Sequence, residues 1–148
     1  MAIQRLGLDD LSLMDGLLEL FGEAFGERDT YGRARPSAAY QRRLLGDPGF
    51  VALVKVAAGH VVGGLAAYEL RKFEQERSEF YIYDLAVAET NRRQGIATDL
   101  IGHLRAIAAE RGGYVVFVQA DHGDDAAIAL YSKLGTREAV LHFDIPVP

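Results

Sequence analysis

The chain has 148 residues, 49% of them hydrophobic and 25% charged, a balance that suits one globular domain with a real core. Cysteine is absent, which excludes disulfides, thiolate metal sites and a cysteine nucleophile. The net charge of -5 runs against nucleic-acid binding, which needs a basic surplus or stripe.

The opening residues lack a basic segment followed by an apolar one, and no apolar run approaches membrane-spanning length. A cytoplasmic protein made of a single domain over residues 1–148, without a membrane partner, is therefore expected. Residues 119–148 carry Asp121, Asp124, Asp125, Glu138 and Asp144 against Lys133 and Arg137. Such an imbalance would attract a cationic partner, although an ordinary solvated surface looks the same.

In chain order, residues 2–6 suit a first strand. Residues 9–25 put Leu13, Leu17, Leu20, Phe21 and Ala24 on one helical face, with Asp9 or Asp10 as cap. Glycine, aspartate and proline mark residues 26–36 as a loop, and a short helix is expected over 37–45. Residues 50–57 and 61–71 read as a hairpin closed by Ala58-Gly59-His60. The Gly63-Gly64 pair suggests a bulge or a close backbone approach. Residues 79–87 form the most strand-like segment, aromatic and β-branched. A long amphipathic helix then carries Ile96, Leu100, Ile101, Leu104, Ile107 and Ala108 on its apolar face. Residues 114–120 read as a buried strand, 124–135 as a helix stopped by Gly135, and 137–147 as a strand that closes the sheet. The order β-α-α-β-β-β-α-β-α-β predicts an α/β fold with a mixed, mostly antiparallel central sheet flanked by about four helices.

The start of the long helix, "NRRQGIAT", has the makings of an anion site. The first helical turn offers unpaired N–H groups and the positive end of the helix dipole. Gly95 and Ala97 leave room for a bulky anion, and Arg92 and Arg93 add charge and directed hydrogen bonds. The spacing matches neither the dinucleotide Gly-x-Gly-x-x-Gly nor the Gly-Lys-Ser/Thr loop. A solvated loop before an ordinary helix is the plain alternative.

Together, "LAVAETNRRQGIAT" and "AIALYSKLG" resemble the two cofactor motifs of the GNAT superfamily of N-acetyltransferases, and the element order is similar over nearly the whole chain. "YIYDLAV", "RRQGIAT", "VQAD-GDD", "HFDI" and "TYGRARPSAAYQRRLL" narrow the resemblance to the aminoglycoside 3-N-acetyltransferases. Three positions depart from the superfamily pattern: Asp124 stands for Asn, Thr136 for Phe and Glu89 for Pro.

The resemblance implies the GNAT acyl-CoA N-acyltransferase fold and direct transfer of acetyl from acetyl-CoA to an amino group of an aminoglycoside, at the 3-amino position. It implies that Arg92, Arg93, Gln94, Gly95, Ile96, Ala97 and Thr98 hold the pyrophosphate. Leu85, Ala86 and Val87 would pair with the pantetheine arm, the Val87 N–H would polarise the thioester carbonyl, and Asp124 and Ala127 would complete the cofactor site. Tyr131 would protonate the leaving thiolate, although Ala127, Leu130, Tyr131 and Leu134 also make a core-facing stripe.

Strand alternation puts Phe80, Ile82, Asp84 and Ala86 on one face, with Tyr81 and Tyr83 packing on the other. A carboxylate among apolar neighbours needs a partner. Asp84 therefore either binds the substrate ammonium or takes its proton, unless it is a purely structural group or a bulge shifts its face. Glu79, Asp121 and Asp144 are weaker substrate-binding candidates, and Asp125 suits a helix cap. No histidine spacing indicates a metal, so none is assigned. Polyamines, other small amines or a protein N-terminus are alternative acceptors, and an idle acyl-CoA-binding module is the non-enzymatic alternative. Sheets of this superfamily often pair across subunits, which makes a homodimer one expected arrangement.

Overall fold

A computed structural model describes residues 2–148 of the chain. The elements run β1 (Ile3–Arg5), α1 (Leu11–Phe25), α2 (Ala38–Gly46), β2 (Phe50–Ala57), β3 (His60–Arg71), β4 (Ser78–Val87), α3 (Ile96–Glu110), β5 (Gly113–Val118) and α4 (Asp125–Leu134). Local chemistry accounts for the boundaries. Ser37 caps α2 by accepting the Tyr40 N–H at 3.1 Å, and left-handed Gly26 ends α1. Ala58 and Gly59 both have positive φ, which makes the tight turn between β2 and β3.

The sheet order is β1-β2-β3-β4-β5, antiparallel except for the parallel β4–β5 pair. Alternation along the strands feeds two cores. Val51, Leu53, Leu65, Ala67, Phe80 and Ile82 face α3 with its Ile96, Leu100, Ile101, Leu104 and Ala108. Phe50, Ala52, Val54 and Ala86 face α1 and α2 through Met14, Leu17, Leu20, Phe21 and Leu45. The paired glycines permit close approach on both sides. A Cβ at Gly63 would lie 2.6 Å from the Ile96 Cγ2, and one at Gly64 would lie 2.9 Å from the Leu53 carbonyl and collide with Leu17.

Several expectations are corrected. Residues 29–33 form a π-helical turn within the expected loop, held by Tyr31 against Phe21 and Phe25. Ala24 is exposed while Met14 is buried, because the end of α1 packs on that turn through Phe21 and Gly22. β5 is an edge strand with no buried residue. Residues 136–148 make no strand and are exposed throughout, so the expected closing strand does not pair with this chain's own sheet.

Candidate active site

β4 and β5 part company in mid-sheet. Their parallel register runs only to Ile82↔Val118, while β4 continues beside β3 to Val87. Tyr83–Val87 therefore has an open edge. Ala88 donates its N–H to Val62 on β3, so alternation turns the Val87 N–H and carbonyl toward that open edge. Arg92 Nε reaches the Val87 carbonyl there at 3.4 Å.

The chain then crosses a 3-10 turn, Glu89–Asn91, and enters α3. Arg93 has φ 63° and Gly95 φ 77°, a left-handed pair that helps aim successive N–H groups into a concavity. Gly95 is the N-cap, and no side chain caps the helix. Nothing lies within 4 Å of where its Cβ would be. The first-turn donors thus stay free beside two arginines, and a diphosphate fits that setting.

Asp84 occupies the other side of the sheet. The register passes from Ala66↔Asp84 to Ala67↔Ile82, so Tyr83 is an extra residue in a β-bulge. This corrects the alternation expected from the sequence. Phe80 and Ile82 face α3, whereas Asp84 and Ala86 face α1 and α2. Tyr83 joins Asp84 in lining a cavity of about 210 Å³ with Tyr31, Tyr40 and Tyr68, so it is not on the opposite face.

Tyr31 donates a 2.8 Å hydrogen bond to Asp84 Oδ2. Desolvation raises the Asp84 pKa above the usual carboxylate value, the Glu27 charge adds to the rise, and the Tyr31 bond opposes it. Tyr31 itself is pushed up by burial first and by Asp84 second, so it stays a donor. A half-buried carboxylate with one donor and an aromatic wall can hold an ammonium or accept its proton.

Tyr131 sits on α4, partly buried against the α3 core. Burial, then the Asp124 charge, raises its pKa, which keeps its hydroxyl protonated at neutral pH. Asp124, rather than Asp125, caps α4 by accepting the Ala127 N–H at 3.3 Å. A carboxylate needs only one acceptor atom there, which an Asn would also supply.

The remaining acids do not converge on Asp84. Glu79 lies at the far end of β4 and takes hydrogen bonds from Tyr114 at 2.6 Å and Lys72 at 3.3 Å, which, Tyr114 first, hold its pKa low. Glu79 and Asp121 line a second, larger cavity of about 1010 Å³ beside β5 and α4. Asp144 is exposed, 2.8 Å from His142. Tyr31, Tyr68 and Tyr83 are the site residues that sequence reasoning did not single out. Tyr31 lies in a π-helical turn whose sequence shows no periodicity, and only the bulge puts Tyr83 in the pocket.

Residues 14–136 match the model of the acetyltransferase (GNAT) family, and the chain belongs to that family. Its members generally use acetyl-CoA. An aminoglycoside acetyltransferase from an uncultured soil metagenomic sample is similar at 59% identity, with 99% of this chain and 97% of that one covered and a TM-score of 0.96. A second soil-metagenome aminoglycoside acetyltransferase, crystallised with sisomicin, is 33% identical over 99% of this chain and 95% of its own, at a TM-score of 0.90. A ribosomal-protein-alanine N-acetyltransferase from Brucella melitensis biovar Abortus 2308 shares the fold at 24% identity, 99% and 100% coverage and a TM-score of 0.75. No curated protein matches the chain. Among the described residues, no helix is long and apolar enough to cross a membrane.

Proposed function

We propose that the chain is a single acetyltransferase domain, residues 1–148, that acetylates an amino group of an aminoglycoside using acetyl-CoA. The carrying observation is the placement of the tyrosine-walled Asp84 pocket on the same strand as, and next to, the open β4 edge. The metagenomic aminoglycoside acetyltransferases, one of them crystallised with sisomicin, support the substrate class. The 3-amino position is the regiochemistry we infer.

Acetyl-CoA supplies an activated acetyl group and a thiolate leaving group. Arg92, Arg93 and the free donors from Gln94 to Thr98 would hold its diphosphate. The open edge at Leu85–Val87 would pair with its extended arm, and Ala127 at the start of α4 would close the far side. The Val87 N–H would strengthen its hydrogen bond as the carbonyl oxygen gains charge, which lowers the barrier. Asp84 holds the acceptor ammonium and takes a proton from it, directly or through water. Tyr131, protonated at neutral pH, gives its proton to the departing sulfur.

Thiol release from acetyl-CoA with gentamicin, sisomicin, spermidine or no acceptor tests the reading, with mass analysis of the product. Release that needs an aminoglycoside, with one acetyl group added at the 3-amino nitrogen, is expected. Release with spermidine alone would overturn the substrate class. Binding of acetyl-CoA with no turnover on any amine would overturn the catalytic reading.

A further inference from the structure

The pocket around Asp84 holds more aromatic surface than packing requires. Tyr40, Tyr68 and Tyr83 line it and are 52%, 37% and 60% exposed. Their hydroxyls make no side-chain hydrogen bond to the described residues, whereas Tyr31 donates to Asp84 Oδ2 at 2.8 Å. Large aromatic side chains left in contact with water around one carboxylate mark a ligand site rather than a core.

The rings stand as walls. Tyr68 and Tyr83 meet at 85° with centroids 6.0 Å apart, which makes a corner. Phe50 supports Tyr68 at 5.3 Å, and Tyr81 supports Tyr83 at 5.9 Å. The register explains the placement. Tyr68 pairs with Tyr81 across β3 and β4, and the bulge brings Asp84 round to that same face of the sheet.

Charge and size select the occupant. Among the described residues, Asp84 is the one charged side chain that lines the pocket. A cation is attracted both by that carboxylate and by the negative faces of the rings. The volume, about 210 Å³, falls below the roughly 300–1,000 Å³ that encloses a whole drug-sized ligand. The pocket therefore takes one cationic head group and leaves the rest of its ligand outside. A primary ammonium brings three N–H donors, and Asp84, already accepting from Tyr31, is their sole charged acceptor. A methylated ammonium carries the same charge with fewer donors to satisfy, and it presents methyl groups to the rings.

We propose that Tyr68 and Tyr83, together with Asp84, form a cation–π site selective for N-methylated ammonium groups, and that a quaternary ammonium compound occupies it as a dead-end ligand. A quaternary nitrogen has no proton to give Asp84 and no lone pair to attack the acetyl carbon, so nothing is transferred. The ring site stands on the geometry of the pocket. Its dead-end role rests on the acceptor reading above.

Calorimetric titration of the intact chain without acetyl-CoA tests the site with three probes of one skeleton. These are choline, ethanolamine and the neutral analogue of choline in which tert-butyl replaces trimethylammonium. Choline is expected to bind at least about fivefold more tightly than ethanolamine and at least about tenfold more tightly than the neutral analogue. A neutral analogue that matches choline would reduce the pocket to a hydrophobic hole. Ethanolamine that matches or exceeds choline would make it a hydrogen-bonding site. Either result overturns the proposal, as does choline that fails to bind.

Ring variants test the walls. Tyr68→Leu and Tyr83→Leu should each weaken choline about fivefold through loss of a partly exposed cation–π contact. Tyr68→Phe and Tyr83→Phe should stay within about twofold of the wild type, because the ring face remains. Equal losses for Phe and Leu would overturn the cation–π assignment. The three-probe comparison on the wild type decides even where a variant does not fold.

Initial rates separate this proposal from the acceptor reading. Choline should raise the aminoglycoside KM without lowering kcat. Choline that binds but does not compete would overturn the dead-end role and place the acceptor elsewhere, with the ring site intact. Aminoglycoside turnover by a chain that does not bind choline would overturn the ring site and leave the acceptor reading standing.

Discussion

Replacing Tyr31 with Phe removes one hydroxyl and leaves the ring packed edge-on and tilted against Phe21 and Phe25. The lost contact is the 2.8 Å hydrogen bond to Asp84, and among the influences on the Asp84 pKa it alone lowers it. A hydrogen bond to a charged group contributes about 1.5–3 kcal/mol. Asp84 is only half-buried, so solvent recovers roughly half of that, leaving about 0.7–1.5 kcal/mol. At about 1.36 kcal/mol per pH unit, the Asp84 pKa should rise by about 0.5–1 unit.

A base works when deprotonated, so the acid limb of the pH profile of kcat/KM should move up by that amount. The assay is acetyl-CoA turnover with an aminoglycoside, followed by thiol release from pH 5 to pH 9. Global stability should change little, because the ring contacts persist. An acid limb that stays in place, or moves to lower pH, would show that Asp84 is not the group that titrates in catalysis.

Other perturbations report on different parts of the account. Gly64→Ala drives a Cβ into the Leu53 carbonyl and Leu17, and urea unfolding should show a loss of about 1–3 kcal/mol. Arg92→Ala should raise the acetyl-CoA Kd about tenfold, by about the value of a charge-assisted hydrogen bond, while the aminoglycoside KM holds; calorimetric titration checks the first and initial rates the second. Tyr131→Phe should lower kcat by about 10²-fold or more with the acetyl-CoA Kd unchanged. Its melting temperature should stay near that of the wild type, because the hydroxyl makes no side-chain hydrogen bond to the described residues.

Much of the architecture was legible because it rests on local patterns. The 3.6-residue spacing from Ile96 to Ala108 and the β-branched run at 50–57 yield α3 and β2 close to where they were expected. The anion seat was legible too, since a glycine and two arginines at a helix start have direct physical meaning. The Asp84 site was only half visible. A carboxylate in an apolar strand marks Asp84, but alternation puts it on the face of Phe80 and Ile82. The bulge at Tyr83 that turns it to the other face is a register event between β3 and β4, and a single strand's sequence does not carry it. Tyr31 reaches Asp84 across 53 positions, from a short π-helical turn whose sequence has no periodicity.

The C-terminal segment teaches the complementary lesson. Its alternation suits a strand, but alternation alone supplies no neighbouring edge to pair with, and no strand forms there. Residues 137–147 read as closing the chain's own sheet, and the structure leaves them exposed. Glu79 and Asp84 likewise share a strand yet lie toward opposite ends of it, so the expected acidic cluster does not form within one chain.

The central claim is that Asp84 receives the acceptor's proton next to the acetyl group held at the open edge of β4. Its most direct measurement is kcat/KM for an aminoglycoside in Asp84→Asn, alongside the acetyl-CoA Kd of the same variant. A fall of about 10²–10⁴-fold with an unchanged Kd is the predicted result. A rate within about threefold of the wild type, which is under 1 kcal/mol, would contradict it.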